Sequence, residues 1–370
     1  LRAQHSEVRI AMFITSHGFG HAARAIAVAE ALSQRCSTLE FDLYTAVPRW
    51  FFDSARIRFT YRYLDCDPGL SQVNAFDVDL AASVQRLAVL LPFKRDLIKQ
   101  VAALLLIRRC QAVVCDIAVF GIAVAKDAGL PSILIENFTW DWIYRALSKR
   151  LSVFATYADI VAPLVACADL HIQAQPACAP LPGSLSVAPI SRQVRTSGPL
   201  VRAQLGIKPG SSLIFITLGG VEQEHPFLHQ LAHQPAGQYF LIAGSGSDNK
   251  RSGNIRLLPS HSDFFHPDLV NSSDLVVGKV GYSTLAEVYR TGARFAYFRR
   301  QDNPEMPALL NFLKQNVSGV ELDSETYRNG NWLDQIPNLL SQPASRPPTD
   351  QNGALACADS IITLLQHRDQ

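Results

Sequence analysis

Two histidines set among glycines are the first residues in this chain that could do chemistry. His17, Gly18, Gly20 and His21 stand together in SHGFGHAAR, between an apolar run of strand length (residues 8–15) and an alanine-rich stretch with helical patterning (about 22–32). A glycine-flanked histidine at the carboxyl end of a strand points into the ligand crevice of a Rossmann-like unit. Its ordinary pKa near neutrality suits it to general-base work. His21 is the candidate base and His17 the alternate, and the competing reading is that they cap the turn or bind phosphate. Asp116 ends the buried-type strand VVCD, where an unpartnered aspartate is costly. Either it orients His21 and stabilises the imidazolium formed during proton transfer, or it caps the helix that follows.

A second constellation lies in residues 274–311, DLVVGKVGYSTLAEVYRTGARFAYFRRQDNPEMPALLN. Here an apolar strand enters a turn holding Gly278 and Gly281, with Ser283 and Thr284 where a helix would start. Free amides at a helix start, next to glycines that permit close approach, make a site for a diphosphate. Glu287, one turn in, can accept hydrogen bonds from a ribose diol. The residues from Arg299 to Glu305 offer polar groups to a hydroxyl-rich portion, and Lys279 and Arg299 are cations for a leaving diphosphate. The alternative is an ordinary strand–turn–helix unit with a tight turn. A third stretch, NFTWDWIY at residues 137–144, combines amphipathic aromatics with amide and carboxylate groups suited to an acceptor. Asn137, Trp140 and Asp141 are its candidate contacts, with His17, Gly18 and Gly20 from the first loop. Trp142 and Tyr144 equally suit a hydrophobic lid.

The elements that must position these residues follow an alternating pattern. Strands are predicted at 8–15, 41–45, 58–64, 112–116, 132–136 and 170–173. Helices fall between them, one long region (78–109) being split near Pro92. Residues 176–199 are rich in Pro, Ser and Gly, and their latter part reads as a link. The pattern then restarts with strands at 213–217, 239–243, 255–258, 275–277 and 319–322, and a final helix at about 353–366. Both halves are α/β with glycine turns at the carboxyl ends of strands. The expected domains are 1–190, 198–350 and a C-terminal helix in 351–370.

Composition narrows the classes. Of 370 residues, 48% are hydrophobic and 18% charged, enough for large cores. A formal charge of +2 with scattered basic residues argues against a nucleic-acid partner. The seven cysteines (36, 66, 110, 115, 167, 178 and 357) are odd in number and form no CxxC pair. They read as buried thiols of a cytoplasmic protein, with no metal site expected. No apolar stretch approaches the roughly 20 residues of a transmembrane helix, which leaves peripheral membrane contact open. The start of the chain carries no signal-peptide pattern. Oligomeric state is not legible.

Three stretches together resemble the GT-B nucleotide-sugar glycosyltransferases: HGFGHAAR at 17–24, NFTWDWIY at 137–144, and DLVVGKVGYSTLAEV at 274–288 with RRQDNPE at 299–305. The chain is most similar to the glycosyltransferase-like front portion of plant-type arabinokinases and related bacterial predicted glycosyltransferases. Its last stretch also looks like a MurG-like donor site. The resemblance implies two Rossmann-like domains facing across a cleft, acceptor in the first and donor in the second, with the last helix returning to the first domain. It further implies that Gly281, Ser283 and Thr284 hold the diphosphate and Glu287 the ribose. Asp302 and Glu305 would meet donor-sugar hydroxyls, Gly219 and Gly220 would approach the phosphates, and His21 with Asp116 would form a base dyad. QDNPE departs from the MurG-like DxxQ pattern, so the sugar does not carry over. No kinase-type ATP loop is matched, so sugar-kinase activity is not implied.

The function so implied is transfer of a sugar from a nucleoside diphosphate sugar to an acceptor hydroxyl on a small molecule, lipid or glycan. The expected chemistry is inverting and metal-independent, with a UDP-sugar as the first expectation for co-substrate and no cofactor. The alternatives are a non-catalytic nucleotide-sugar-binding regulator and a non-hydrolysing sugar-nucleotide 2-epimerase.

Overall fold

The computed structural model describes residues 8–67, 69–73, 77–219, 225–244, 249–300, 303–349 and 352–368. They divide into two compact units. The first takes in the described residues of 1–72, Val78–Ser191 and the described residues of 351–370; the second runs from Arg192 to residue 349, with residues 73 and 77.

The first unit is built on a seven-stranded sheet whose strand neighbours are all parallel. Its order is Arg58–Tyr63, Glu40–Thr45, Arg9–Ile14, Cys110–Asp116, Ser132–Glu136, Leu170–Ala174 and Leu185–Val187. The central strands are near-continuous apolar runs because helices cover both faces; Ile10 to Ile14 and Val113 to Asp116 are all buried. The edge strand Leu185–Val187 falls in the Pro-, Ser- and Gly-rich stretch 176–199, where no strand is predicted from the sequence. The first helix, Phe19–Arg35, begins three residues earlier than its alanine pattern suggests. Gly18, at φ 85° and ψ 162°, makes the sharp entry, a conformation open to glycine and strained for other residues. His21 therefore lies inside the first helical turn. The long helical stretch is divided at Pro92 as expected, into Leu80–Leu90 and Arg95–Ile107.

The C-terminal helix, Gly353–Arg368, packs along the first helix. Arg35 Nε donates to Asp359 Oδ1 at 2.7 Å, and Cys357 and Ile361 are fully buried. Only glycine fits at the entrance of this helix, since a Cβ at Gly353 would lie 1.9 Å from the Ala188 carbonyl oxygen.

The second unit carries its own seven-stranded sheet. Its order is Lys250–Ser252, Ile255–Leu258, Gln238–Ala243, Ser212–Thr217, Leu275–Lys279, Arg294–Phe298 and Gly319–Glu321. All neighbours are parallel except the first two, an antiparallel hairpin. The two central strands approach so closely that a Cβ at Gly278 would sit 2.2 Å from the Thr217 carbonyl oxygen. Each unit has its own aromatic-rich core: Phe13, Phe120, Trp140, Tyr144 and Phe154 in the first, Phe227, Tyr327 and Trp332 in the second. Burying each such side chain contributes about 1.5–3 kcal/mol. Among the described residues, no helix is long and apolar enough to cross a membrane.

Candidate functional site

In the first unit the predicted base and its partner meet. His21 Nδ1 lies 2.9 Å from Asp116 Oδ1. The helix entry at Gly18 delivers the ring, and the end of Cys110–Asp116 delivers the carboxylate. Asp116 is 2% exposed and makes no cap for the next helix, Phe120–Ala128. Its oxygens are taken by Arg24 as well, from Nε to Oδ2 at 2.7 Å and from Nη2 to Oδ1 at 2.8 Å. Burial alone would raise the carboxyl; the Arg24 charge and the hydrogen bonds from His21 and Arg24 outweigh it and hold Asp116 below its ordinary value. An ionised Oδ1 at 2.9 Å demands a donor, so Nδ1 carries a proton. Nε2 makes no hydrogen bond among the described residues, and the side chain keeps 11% of its surface.

The surrounding predicted residues divide between wall and support. Asn137 is fully buried and accepts from Arg24 Nη1 at 2.8 Å, so it anchors the arginine. Trp140 is not an open platform: it is 1% exposed, stacks on Tyr144 at 5.6 Å and donates from Nε1 to Asp67 Oδ2 at 2.7 Å. A helix beginning at Trp140 over an apolar layer turns the indole inward. Asp141, in that first turn, is half-buried, and its Oδ1 has no hydrogen-bond partner among the described residues. His17 meets Trp140 edge-on at 5.2 Å and accepts from the Leu70 amide at 3.4 Å. Thr15 holds this loop by accepting from the His17 amide and donating to Asp67. Asp67 is buried, and burial pushes its carboxyl up to about 7 against the hydrogen bonds from Thr15 and Trp140.

In the second unit, the strand Leu275–Lys279 runs through Val280 to the helix Tyr282–Thr291. Gly281 is its cap residue and no side chain caps it. Ser283 and Thr284 thus lie in the first turn and do not act as caps, because the helix begins at Tyr282. The first internal bond is Leu285 N to Gly281 O, 2.9 Å, so the amides before Leu285 stand outside the helical ladder. Glu287 is 2% exposed and bound at both oxygens, with His266 Nδ1 2.6 Å from Oε2 and Arg192 Nη2 3.4 Å from Oε1. Burial raises this carboxyl; His266 and Arg192 more than reverse it, leaving it below its ordinary value. His266 Nε2 in turn meets Thr217 Oγ1 at 3.0 Å.

Beside the helix start lies a group of charges. Gly219, at φ 68°, lets the chain pass Lys279; a Cβ there would sit 3.3 Å from Lys279 Cε. Burial, then repulsion by Arg300, pushes the Lys279 ammonium down to about 7, with Glu305 opposing. Arg300 Nη2 lies 3.5 Å from Glu305 Oε1, while its buried Nε has no hydrogen-bond partner among the described residues. Arg299 is not part of this group: its side chain is 55% exposed and pairs with Glu321. Gly220 and Asp302, also predicted, lie outside the described residues. Among the described residues no cluster of three His, Cys, Asp or Glu is placed to hold a metal ion.

The sequence reading missed Arg24, Arg300, His266 and Arg192. Arg24 had a signal, being three residues after His21 and so on the same helical face. Arg300 stood next to a residue that was chosen. His266 and Arg192 meet Glu287 from 21 and 95 residues away, and nothing local marks them.

No protein-family model matches the chain. It is similar to the L-arabinokinase of Arabidopsis thaliana, 26% identical over 359 residues. That match covers 92% of this chain and 33% of the relative, so the chain spans about a third of the length of that curated relative. Among solved structures, a UDP-glucosyltransferase from Polygonum tinctorium capable of glucosylating indoxyl has a TM-score of 0.63 at 14% identity, covering 98% of this chain and 100% of that one. The calicheamicin glycosyltransferase CalG4 has a TM-score of 0.63 at 13% identity, covering 98% and 99%. The Medicago truncatula protein UGT71G1, solved with UDP-glucose, has a TM-score of 0.60 at 13% identity, covering 97% and 98%. The chain has the GT-B glycosyltransferase fold and resembles arabinokinase in sequence.

Proposed function

We propose that the protein is a glycosyltransferase that moves a sugar from a nucleoside diphosphate sugar to an acceptor hydroxyl on a small molecule, lipid or glycan, by inverting and metal-independent displacement. The observation that carries the reading is the His21–Asp116 contact at 2.9 Å, with Nε2 left for a ligand, on a GT-B fold. In this reading Nε2 takes the hydroxyl proton as the acceptor oxygen bonds to the anomeric carbon. The bond from that carbon to the diphosphate oxygen breaks on the opposite side. Asp116 stabilises the imidazolium formed. In the second unit, the amides ahead of Leu285, with Lys279 and Arg300, receive the charge of the departing diphosphate. Thr284 and Ser283 flank those amides, Glu287 is assigned to the ribose side and Glu305 to the donor sugar. A UDP-sugar is the first donor to test, since two of the structures sharing the fold are named for UDP-sugar use or binding.

A thermal-shift screen of UDP-, GDP-, dTDP- and ADP-sugars tests the donor half. A ligand specific to the native state raises apparent stability by RT ln(1 + [L]/Kd), about 2.7 kcal/mol at a hundredfold excess over Kd. The expected result is a rise with UDP-sugars, followed by transfer to hydroxyl acceptors that inverts the anomeric centre. Silence from all four classes would end the reading.

A further inference from the structure

We propose that Arg24 is a positioning residue that sets the protonation balance of His21, so that the ring meets an acceptor hydroxyl as a neutral base. The inference rests on the reading of His21 as the base. Arg24 is 2% exposed, one turn after His21 on the helix Phe19–Arg35, and its guanidinium is bound on two sides. Nε and Nη2 grip both Asp116 oxygens, while Nη1 is fixed by Asn137 Oδ1 at 2.8 Å. This fork makes three charge-assisted bonds with a planar guanidinium. The same Nη2 stands 3.3 Å from His21 Nδ1.

The electrostatic consequence follows from that distance. A lone buried carboxylate against a histidine favours the imidazolium, because the ion pair is the better-solvated state of a buried anion. Here the anion is already neutralised by a cation that also touches the ring. Adding a proton to His21 would place two cations side by side around one carboxylate. Arg24 therefore opposes protonation of the resting ring, yet leaves Asp116 in place to orient Nδ1. The nearby titratable group on a neighbouring loop is Asp67, bound by Thr15, whose amide donates to the Asp116 carbonyl. Asn137 and Phe138 approach from the loop after Ser132–Glu136. Cys357, on the C-terminal helix, feels the charges of Arg24 and Asp116, but burial pushes its thiol up to about 12 and keeps it neutral.

The test is an NMR titration of the full chain carrying ¹³C-labelled histidine, with His21→Asn assigning the ring signal. It needs no substrate, so it can fail while transfer activity stands, or hold while transfer fails. In Arg24→Gln the ring and its carboxylate should take up their shared proton at a pH at least one unit higher than in the wild type. Arg24→Lys, which keeps the charge, should stay within about half a unit. Where the amide is not tolerated, Arg24→Met removes the same charge with an unbranched apolar chain. If transfer is measured, the acid limb of kcat/KM should move upward with the NMR midpoint. An unmoved midpoint in a folded charge-removing variant, even with a lowered melting temperature, makes Arg24 merely structural and overturns the proposal.

Discussion

Each unit buries a carboxylate held by a histidine and an arginine, and the two trios are closed differently. In the first, Asp116 is held by His21 and Arg24; in the second, Glu287 is held by His266 and Arg192. Both carboxylates are 2% exposed, and both are kept ionised by a histidine and an arginine that overcome the cost of burial. The difference lies at the far nitrogen of each ring. His21 Nε2 has no protein partner among the described residues, whereas His266 Nε2 is closed by Thr217 at 3.0 Å. An imidazole fixed at one end can exchange a proton with a ligand; one fixed at both ends is a strut. The arginine contact differs too. Arg24 grips both carboxylate oxygens below 3 Å, whereas Arg192 reaches one oxygen at 3.4 Å and also stacks over Phe265 at 4.8 Å. Among the described residues the first trio leaves one ring nitrogen without a protein partner, and the second closes both.

The largest effect should come from opening that contrast directly. His21→Ala is expected to lower kcat by about 10²–10⁴ at unchanged melting temperature, the range of a lost general base. His266→Ala is expected to leave kcat at saturating donor within a few-fold and to act on donor affinity and stability. Matched losses of kcat in both variants would erase the distinction. Next in size is the pH dependence of donor affinity. Lys279, held at about 7, must be protonated to meet a diphosphate. Affinity for UDP-glucose, whose diphosphate does not titrate here, should therefore fall as pH rises above 7, by up to about tenfold per unit. Without ligand the sign is opposite: below its ordinary value, the buried ammonium is a burden, so its contribution to folding improves as pH rises from about 7 toward its unfolded pKa. Calorimetric titrations at pH 6 to 9 should show a flat profile for Lys279→Met. The smallest effect belongs to Thr217→Val, which frees His266 Nε2 and should cost about 1 kcal/mol in chemical denaturation, with kcat unchanged.

Much of this architecture was legible in the chain because parallel α/β units advertise themselves. Within RIAMFI and SILIE the residues 10–14 and 133–135 are consecutively apolar, as suits strands covered on both faces, and glycines mark turns between strands and helices. The His21–Asp116 pairing was one of two open readings of Asp116; neither residue's local sequence favours it. NFTWDWIY misled in a specific way. An indole with a polar N–H suits a ligand platform and a buried hydrogen bond equally well, and Trp140 turned out to satisfy Asp67 inside the core. Arg299 and Arg300 are identical in local context, and only the strand end at Phe298 decides which one turns outward to Glu321 and which lies beside Lys279 and Glu305.

By itself, the sequence determined the fold class and the glycine entries to the two helices. These are local matters of periodicity, backbone freedom and composition, readable from residues a few positions apart. The tertiary structure alone decided which charges share a carboxylate. Arg24 with Asp116, and Arg192 with Glu287, are separated by 92 and 95 residues and come together only in the folded units. Tertiary packing also separates two histidines of the same type. Thr217 ends a strand next to His266 and closes its ring, while the end of Cys110–Asp116 offers His21 a carboxylate on one side only.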